Sequence, residues 1–202
     1  PVSDFLSDPA PRIQGWGQGL RSIINGQSPC TDYDWSEYIS RFSQPVVSHE
    51  IGQWCVYPNL EEISKYDGVM RPANLEIFRE TLQKNGMIHL ADSFLLASGK
   101  LQALCYKADI EAALRTRNFG GFQLLGLNDF PGQGTALVGV LDAFWEEKGY
   151  ISPEEYRRFC APTVPLARLP KLIYKNDETL KARVEVAHYG ETPLKEITAE
   201  WT

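Results

Sequence analysis

The 202-residue chain is 43% hydrophobic, 23% charged and 11% aromatic, a composition that excludes disordered and fibrous classes and predicts a soluble globular fold. Its formal charge of −6 and pI near 5.2 exclude the basic surface needed by phosphate backbones and anionic lipid, so neither nucleic acid nor membrane is an expected partner. No apolar run reaches the roughly 20 residues that span a bilayer.

The length admits one large domain, or one domain and part of a second. Because the first residue is Pro1 rather than Met, the expectation is a fragment or processed product. Its localisation stays open, with secretion or a periplasmic home available to a longer parent. Cys30, Cys55, Cys105 and Cys160 are widely spaced, without a CxxC pair, and only three His accompany them. They read mainly as buried thiols, and no metal site is expected.

The first forty residues, rich in Gly, Ser, Asp and Pro, predict loop with only short regular pieces. A short helix is expected over 34–42, with Asp34 as its cap and Trp35, Ile39 and Phe42 on one face. Residues 44–50 (QPVVSHE) then have the form of a buried parallel strand that begins after Pro45 and ends in polar residues. A helix over 72–83, closed by Asn85-Gly86, and a long helix over 88–114, bent at Gly99, follow.

Residues 122–127 predict a second buried strand, tipped by Asn128-Asp129. Strand, helices, strand is the unit of α/β folds, whose active sites gather at the carboxyl ends of the strands. Beyond Pro162, Pro165 and Pro170 the pattern becomes period-two over 179–188 and 194–201, joined by a turn at 189–193, as in a β-sandwich.

Glu50 stands at the first strand tip, where a carboxylate held by a rigid, partly dry element can act as nucleophile or acid/base. A Glu bonded to loop amides or an Arg is an equally open reading of its position, and His49 reads more readily as a structural group. Asn128, Asp129 and Gln133 offer amide and acid groups suited to neutral, hydroxyl-rich ligands, or an Asx turn that ends the strand. Trp16, Trp54 and Tyr57 on loops could stack on a sugar face, core packing being the default for each. Arg115 and Arg117 read as ion-pair or backbone partners. No phosphate loop is present.

The segment Val46-Val47-Ser48-His49-Glu50-Ile51-Gly52-Gln53-Trp54 resembles the seventh-strand nucleophile segment of glycoside hydrolase family 2, which holds β-galactosidases, β-mannosidases and β-glucuronidases. Residues 121–134 (GFQLLGLNDFPGQG) resemble its eighth strand and the loop that closes the pocket. The resemblance implies an α/β fold: the C-terminal portion of a (β/α)8 TIM barrel over 1–164, then a partial immunoglobulin-like β-sandwich over 165–202.

It further implies a retaining hydrolase acting on a β-linked carbohydrate substrate, with Glu50 as nucleophile. His49, Gln53, Trp54, Asn128, Asp129, Gln133 and Trp16 become substrate-binding candidates, and neither metal nor other cofactor is called for. The family's acid/base is a Glu preceded by Asn, and no Asn-Glu dipeptide occurs in this chain. The expectation is therefore that the rest of a parent chain supplies it, and that the isolated piece is inactive. Two rivals stand beside this reading: a non-catalytic carbohydrate-binding or scaffolding protein with a degenerate barrel, and a small self-contained α/β enzyme.

Overall fold

The computed structural model describes residues 3–14, 19–198 and 200. Three parallel strands form its central sheet, β1 (Leu6–Asp8), β2 (Val46–Ile51) and β3 (Gly121–Leu124), in that spatial order. Leu6 pairs with Val46, and Val47 with Gly121. Both parallel strands expected from sequence are present, each displaced by one to three residues at its ends, and β3 is half-buried to exposed instead of buried. β1 is one of the short regular pieces within the opening loop-rich stretch. Three residues among Ser, Asp and Pro carry no periodic signal, and β1 exists only through its pairing with β2.

Side chains of β2 alternate. Val46 and Ser48 are buried on the side that meets the helices, and Val47 and His49 are half-buried on the other. Val46 packs with Ala113 and Phe119, and the Ser48 hydroxyl donates to the Pro11 carbonyl at 2.7 Å.

Two short helical turns, α1 (Ile23–Gly26) and α2 (Ser36–Ile39), lie between β1 and β2. The second is shorter than its sequence suggested. The cap position is Trp35 rather than the expected Asp34; Asp34, one residue earlier, accepts from Ser36 N at 2.9 Å, and its second oxygen pairs with Arg168 at 2.8 Å. The helices expected between β2 and β3 are α3 (Ala73–Lys84) and α4 (Ala91–Arg115). α3 buries Leu75 and Leu82, two turns apart, and closes when Gly86 N reaches Gln83 O at 3.0 Å and Met87 N reaches Leu82 O at 2.8 Å.

α4 is one unbroken helix, so the bend expected at Gly99 is replaced by a packing role. A methyl group at Gly99 would overlap the fully buried Tyr150 ring. The absent side chain makes room for an aromatic one. α4 is also the element shared by the core: Leu95 packs with Val56, Leu75, Leu137 and Tyr150, and Tyr106 and Ile110 pack with Ile51 and Phe159. Helix α5 (Pro153–Arg157) starts on a capping box in which Ser152 and Glu155 exchange side-chain-to-backbone bonds, with Pro153 in the first turn.

The last part holds an antiparallel pair, β4 (Thr163–Arg168) and β5 (Arg183–His188), from Thr163 opposite His188 to Arg168 opposite Arg183. Val164, Leu166 and Ala187 are buried against Leu114 and Ala161. β4 was hidden in sequence by Pro165 within it and Pro162 just before it. Pro165 has no N–H to give, a loss tolerated because both strands of a two-stranded sheet are edges.

The strand expected over 179–188 is confined to Arg183–His188, and residues 194–198 and 200 form no strand. Their side chains are exposed, so the alternation there has no partner strand to pair with. Trp201 lies outside the described residues. The architecture is thus mixed α/β, a parallel sheet with helical crossover followed by a small antiparallel sheet. No helix of the described residues is long and apolar enough to cross a membrane.

Candidate functional site at the carboxyl end of the parallel sheet

Glu50 sits at the carboxyl end of β2, where the pairing with β3 slips. Ser48 faces Phe122, yet Ile51 faces Leu124, so β2 carries one extra residue. Such a bulge re-aims the side chain it carries. Glu50 takes up the irregularity with φ +54°, a left-handed conformation that costs a residue with a Cβ about 1–2 kcal/mol. Its carbonyl accepts from Arg12 Nη1 at 2.9 Å.

The carboxylate itself is 38% exposed, with Gln53 Nε2 donating to Oε2 at 3.1 Å and His49 Nε2 lying 3.5 Å from Oε1. His49 Nδ1 is 3.1 Å from Gln123 Oε1, which also accepts from Ser7 Oγ at 3.4 Å. Ser7, His49 and Gln123 come from β1, β2 and β3, so a polar row crosses the sheet on the face away from α4. A carboxylate with one amide donor, one imidazole neighbour and open solvent on one side remains free to meet a ligand.

The loop after β2 is anchored from behind by α4. Gln102 Nε2 donates to Trp54 O at 2.6 Å and to Val138 O at 2.9 Å, and Tyr106 donates to Val138 O at 2.8 Å. Gln102 in turn accepts from Tyr150 at 2.5 Å. Gly52 has φ +82° and lies flat against the Tyr106 ring. One turn further along, the buried Asp109 accepts from Ile13 N at 2.7 Å, and the Trp54 indole N–H acts on the same carboxylate. Burial pushes the Asp109 carboxyl up to about 7, against the pull of Ile13 N and Arg12. Trp54 is half-buried with its indole N–H turned inward, and Tyr57 packs edge-on against Phe78 at 5.5 Å.

The tip of β3 is organised differently. Asp129 is 2% exposed, pairs with Lys148 at 2.6 Å and accepts from Gly139 N at 2.9 Å. Burial raises its carboxyl, and Lys148 opposes that shift. Asn128 donates to the Asp129 carbonyl at 3.1 Å and forms a parallel bridge with Leu141, while Gln133 is exposed on a 3-10 turn. The side-chain partners of Glu50 are thus His49 and Gln53, and the Asp129 carboxylate faces inward onto Lys148.

Beside that pair lies a second one, in which Lys65 bridges Asp142 at 2.5 Å and Glu146 at 2.7 Å. Burial raises Asp142, but Lys65 and the N–H groups of Glu146 and Phe144 outweigh it and leave the carboxyl below its ordinary value. The buried Glu62 completes the cluster. Burial, then the charges of Asp142 and Asp129, push it up to about 7. Arg115 stacks 5.3 Å over Tyr33 and donates to its carbonyl at 3.1 Å, far in sequence from Glu50 and not among its partners.

Trp16 lies outside the described residues. All four cysteines are free thiols: Cys105 buried, Cys30 and Cys160 half-buried, Cys55 exposed. Among the described residues no group of three or more His, Cys, Asp or Glu could hold a metal ion. No family model matches the chain, and no curated protein matches it. Sequence reasoning missed Arg12, Gln123 and Asp109. For Asp109 a signal existed, because Gln102, Tyr106 and Asp109 follow an i, i+4, i+7 spacing that puts them on one face of the helix.

Proposed function

We propose that the chain carries the nucleophile half of the active site of a retaining β-glycoside hydrolase, in a barrel resembling that of glycoside hydrolase family 2. Glu50 is the nucleophile, and a second carboxyl group, from a parent chain, is the general acid. One observation carries the reading: a solvent-reachable carboxylate at the carboxyl end of a parallel strand, on a backbone bent into the left-handed region and bonded from behind. Strain of that kind clusters at functional positions.

In this reading Glu50 Oε attacks the anomeric carbon, and the glycosidic C–O bond breaks as the acid protonates the leaving oxygen. Water, deprotonated by the same second group, then attacks the glycosyl-enzyme ester and frees Glu50. Gln53 holds one carboxylate oxygen in place, and His49 and Gln123 line the approach. In the complete enzyme the two carboxyls lie roughly 5–5.5 Å apart, with no metal in the chemistry.

The test uses the complete parent chain against a panel of nitrophenyl β-glycosides. Glu50→Gln lowers turnover by about 10³-fold or more while sugar binding is kept. A 2-deoxy-2-fluoroglycosyl fluoride attaches to Glu50, seen by peptide mapping. Label on another carboxylate, or near-wild-type turnover by Glu50→Gln, removes Glu50 from the role. A wild-type parent that binds sugar and cleaves none of the panel is the carbohydrate-binding protein instead.

A further inference from the structure

Arg12 is buried, 2% exposed, and its guanidinium reaches two main-chain oxygens, Nε donating to Pro9 O at 2.8 Å and Nη1 to Glu50 O at 2.9 Å. The first carbonyl lies just beyond the end of β1 and the second at the end of β2. One side chain therefore ties together the exits of two neighbouring strands. A buried charge is costly without a counter-charge, and Asp109 and Glu50 both act on Arg12 with theirs.

Asp109 is itself 2% exposed on α4 and accepts from Ile13 N at 2.7 Å, so the residue after Arg12 is fastened to the helix. The chain of contacts runs from α4 through Asp109 and Ile13 to Arg12, and from Arg12 to the Glu50 carbonyl. The residue at its far end has the strained φ of +54°.

We propose that Arg12, supported by Asp109, is a positioning residue for Glu50, holding its main chain in the left-handed turn that aims the carboxylate. This rests on the reading of Glu50 as nucleophile. The left-handed turn is unfavourable by itself, so the bond to the Glu50 carbonyl restrains it. Without that bond the turn relaxes to a negative φ, and the side chain leaves the line of attack. A carboxylate displaced by about 1 Å loses roughly 100-fold in rate, because attack needs the reacting atoms near 3–3.5 Å and aligned.

The distinction from a purely structural role lies in the kinetics. In the complete parent chain, with the nitrophenyl β-glycoside it cleaves fastest, Arg12→Met lowers kcat about 10- to 100-fold and leaves KM within about threefold, since sugar contacts are not removed. Arg12→Lys, which keeps the charge and can reach one of the two carbonyls, recovers part of the loss. Asp109→Asn keeps the acceptor for Ile13 N, removes the counter-charge, and lowers kcat several-fold. It also serves if Arg12→Met does not fold, circular dichroism and the thermal midpoint deciding that point.

Wild-type kcat in folded Arg12→Met, or in Asp109→Asn where Arg12→Met does not fold, overturns the proposal. So does a loss that Arg12→Lys does not reverse at all. Glu50→Gln separates the two levels. If it is inactive while the Arg12 and Asp109 variants turn over normally, only the positioning role fails. If Glu50→Gln is active, the nucleophile assignment fails as well.

Discussion

Replacing Gly52 by Ala tests the packing that seats the loop behind Glu50. The added methyl overlaps Cε1 and Cζ of Tyr106 and lies 2.7 Å from its hydroxyl, at a backbone φ of +82°. Holding an alanine in that conformation costs about 1 kcal/mol, and forcing a methyl into a filled site adds about 1–3 kcal/mol. Tyr106 has little freedom to give way, being fully buried with its hydroxyl on Val138 O.

The expected loss is therefore about 3 kcal/mol, or a fall of roughly 1–1.5 M in the urea midpoint for a slope near 2 kcal/mol/M. Tryptophan fluorescence of this chain during urea unfolding reads it. In a Tyr106→Leu background the clash is relieved and only the conformational part, about 1 kcal/mol, remains. A Gly52→Ala cost under about 0.5 kcal/mol, or the same cost in both backgrounds, refutes the reasoning.

Lys148→Met leaves Asp129 buried without its cation and destabilises the chain by about 3–5 kcal/mol, and adding Asp129→Asn returns part of that loss; purely additive effects in urea unfolding would contradict the pairing. Glu62 has a folded pKa of about 7 against an ordinary 4.5, so between those values the unfolded chain has lost a proton that the folded chain keeps, and stability falls as pH rises through the window. The stability of Glu62→Gln relative to wild type should rise by on the order of 1–3 kcal/mol between pH 4.5 and 7.5, and a flat difference argues against it. Ser152→Ala removes the cap of α5 and costs about 1 kcal/mol, measured by the thermal midpoint, with no change if the capping box contributes nothing.

What could be read in sequence follows from what periodic patterns encode. α3 and α4 were visible because their apolar residues recur every three or four positions, and β2 because a β-branched run is bounded by Pro45 and polar residues. β1 and β4 were not, since one is three residues long and the other contains Pro165, and pairing rather than composition makes them strands. The strand expected near residue 194 shows the converse, alternation without a partner.

The place of Glu50 at a strand end was legible in sequence, yet its strained φ and the Arg12 bond were not. Arg12 lies 38 residues from Glu50 in a stretch without period, and only the folded chain brings them together. Asp129 shows the limit of a motif. Its carboxylate faces Lys148, which the spacing of Asn128 and Asp129 could not convey.

The amide of Gln102 touches the loop after β2 at Trp54 and the loop after β3 at Val138. Because an α-helix advances about 100° per residue, one residue inserted between Gln102 and Asp109 would swing one of these anchors a quarter-turn off its target. The length of that helical segment is consequently frozen, while exposed stretches such as residues 67–71 and 130–133 can gain or lose residues without disturbing it. Variation among descendants of this chain should therefore collect at the outer rim of the loops, with the distance between the three helix positions unchanged.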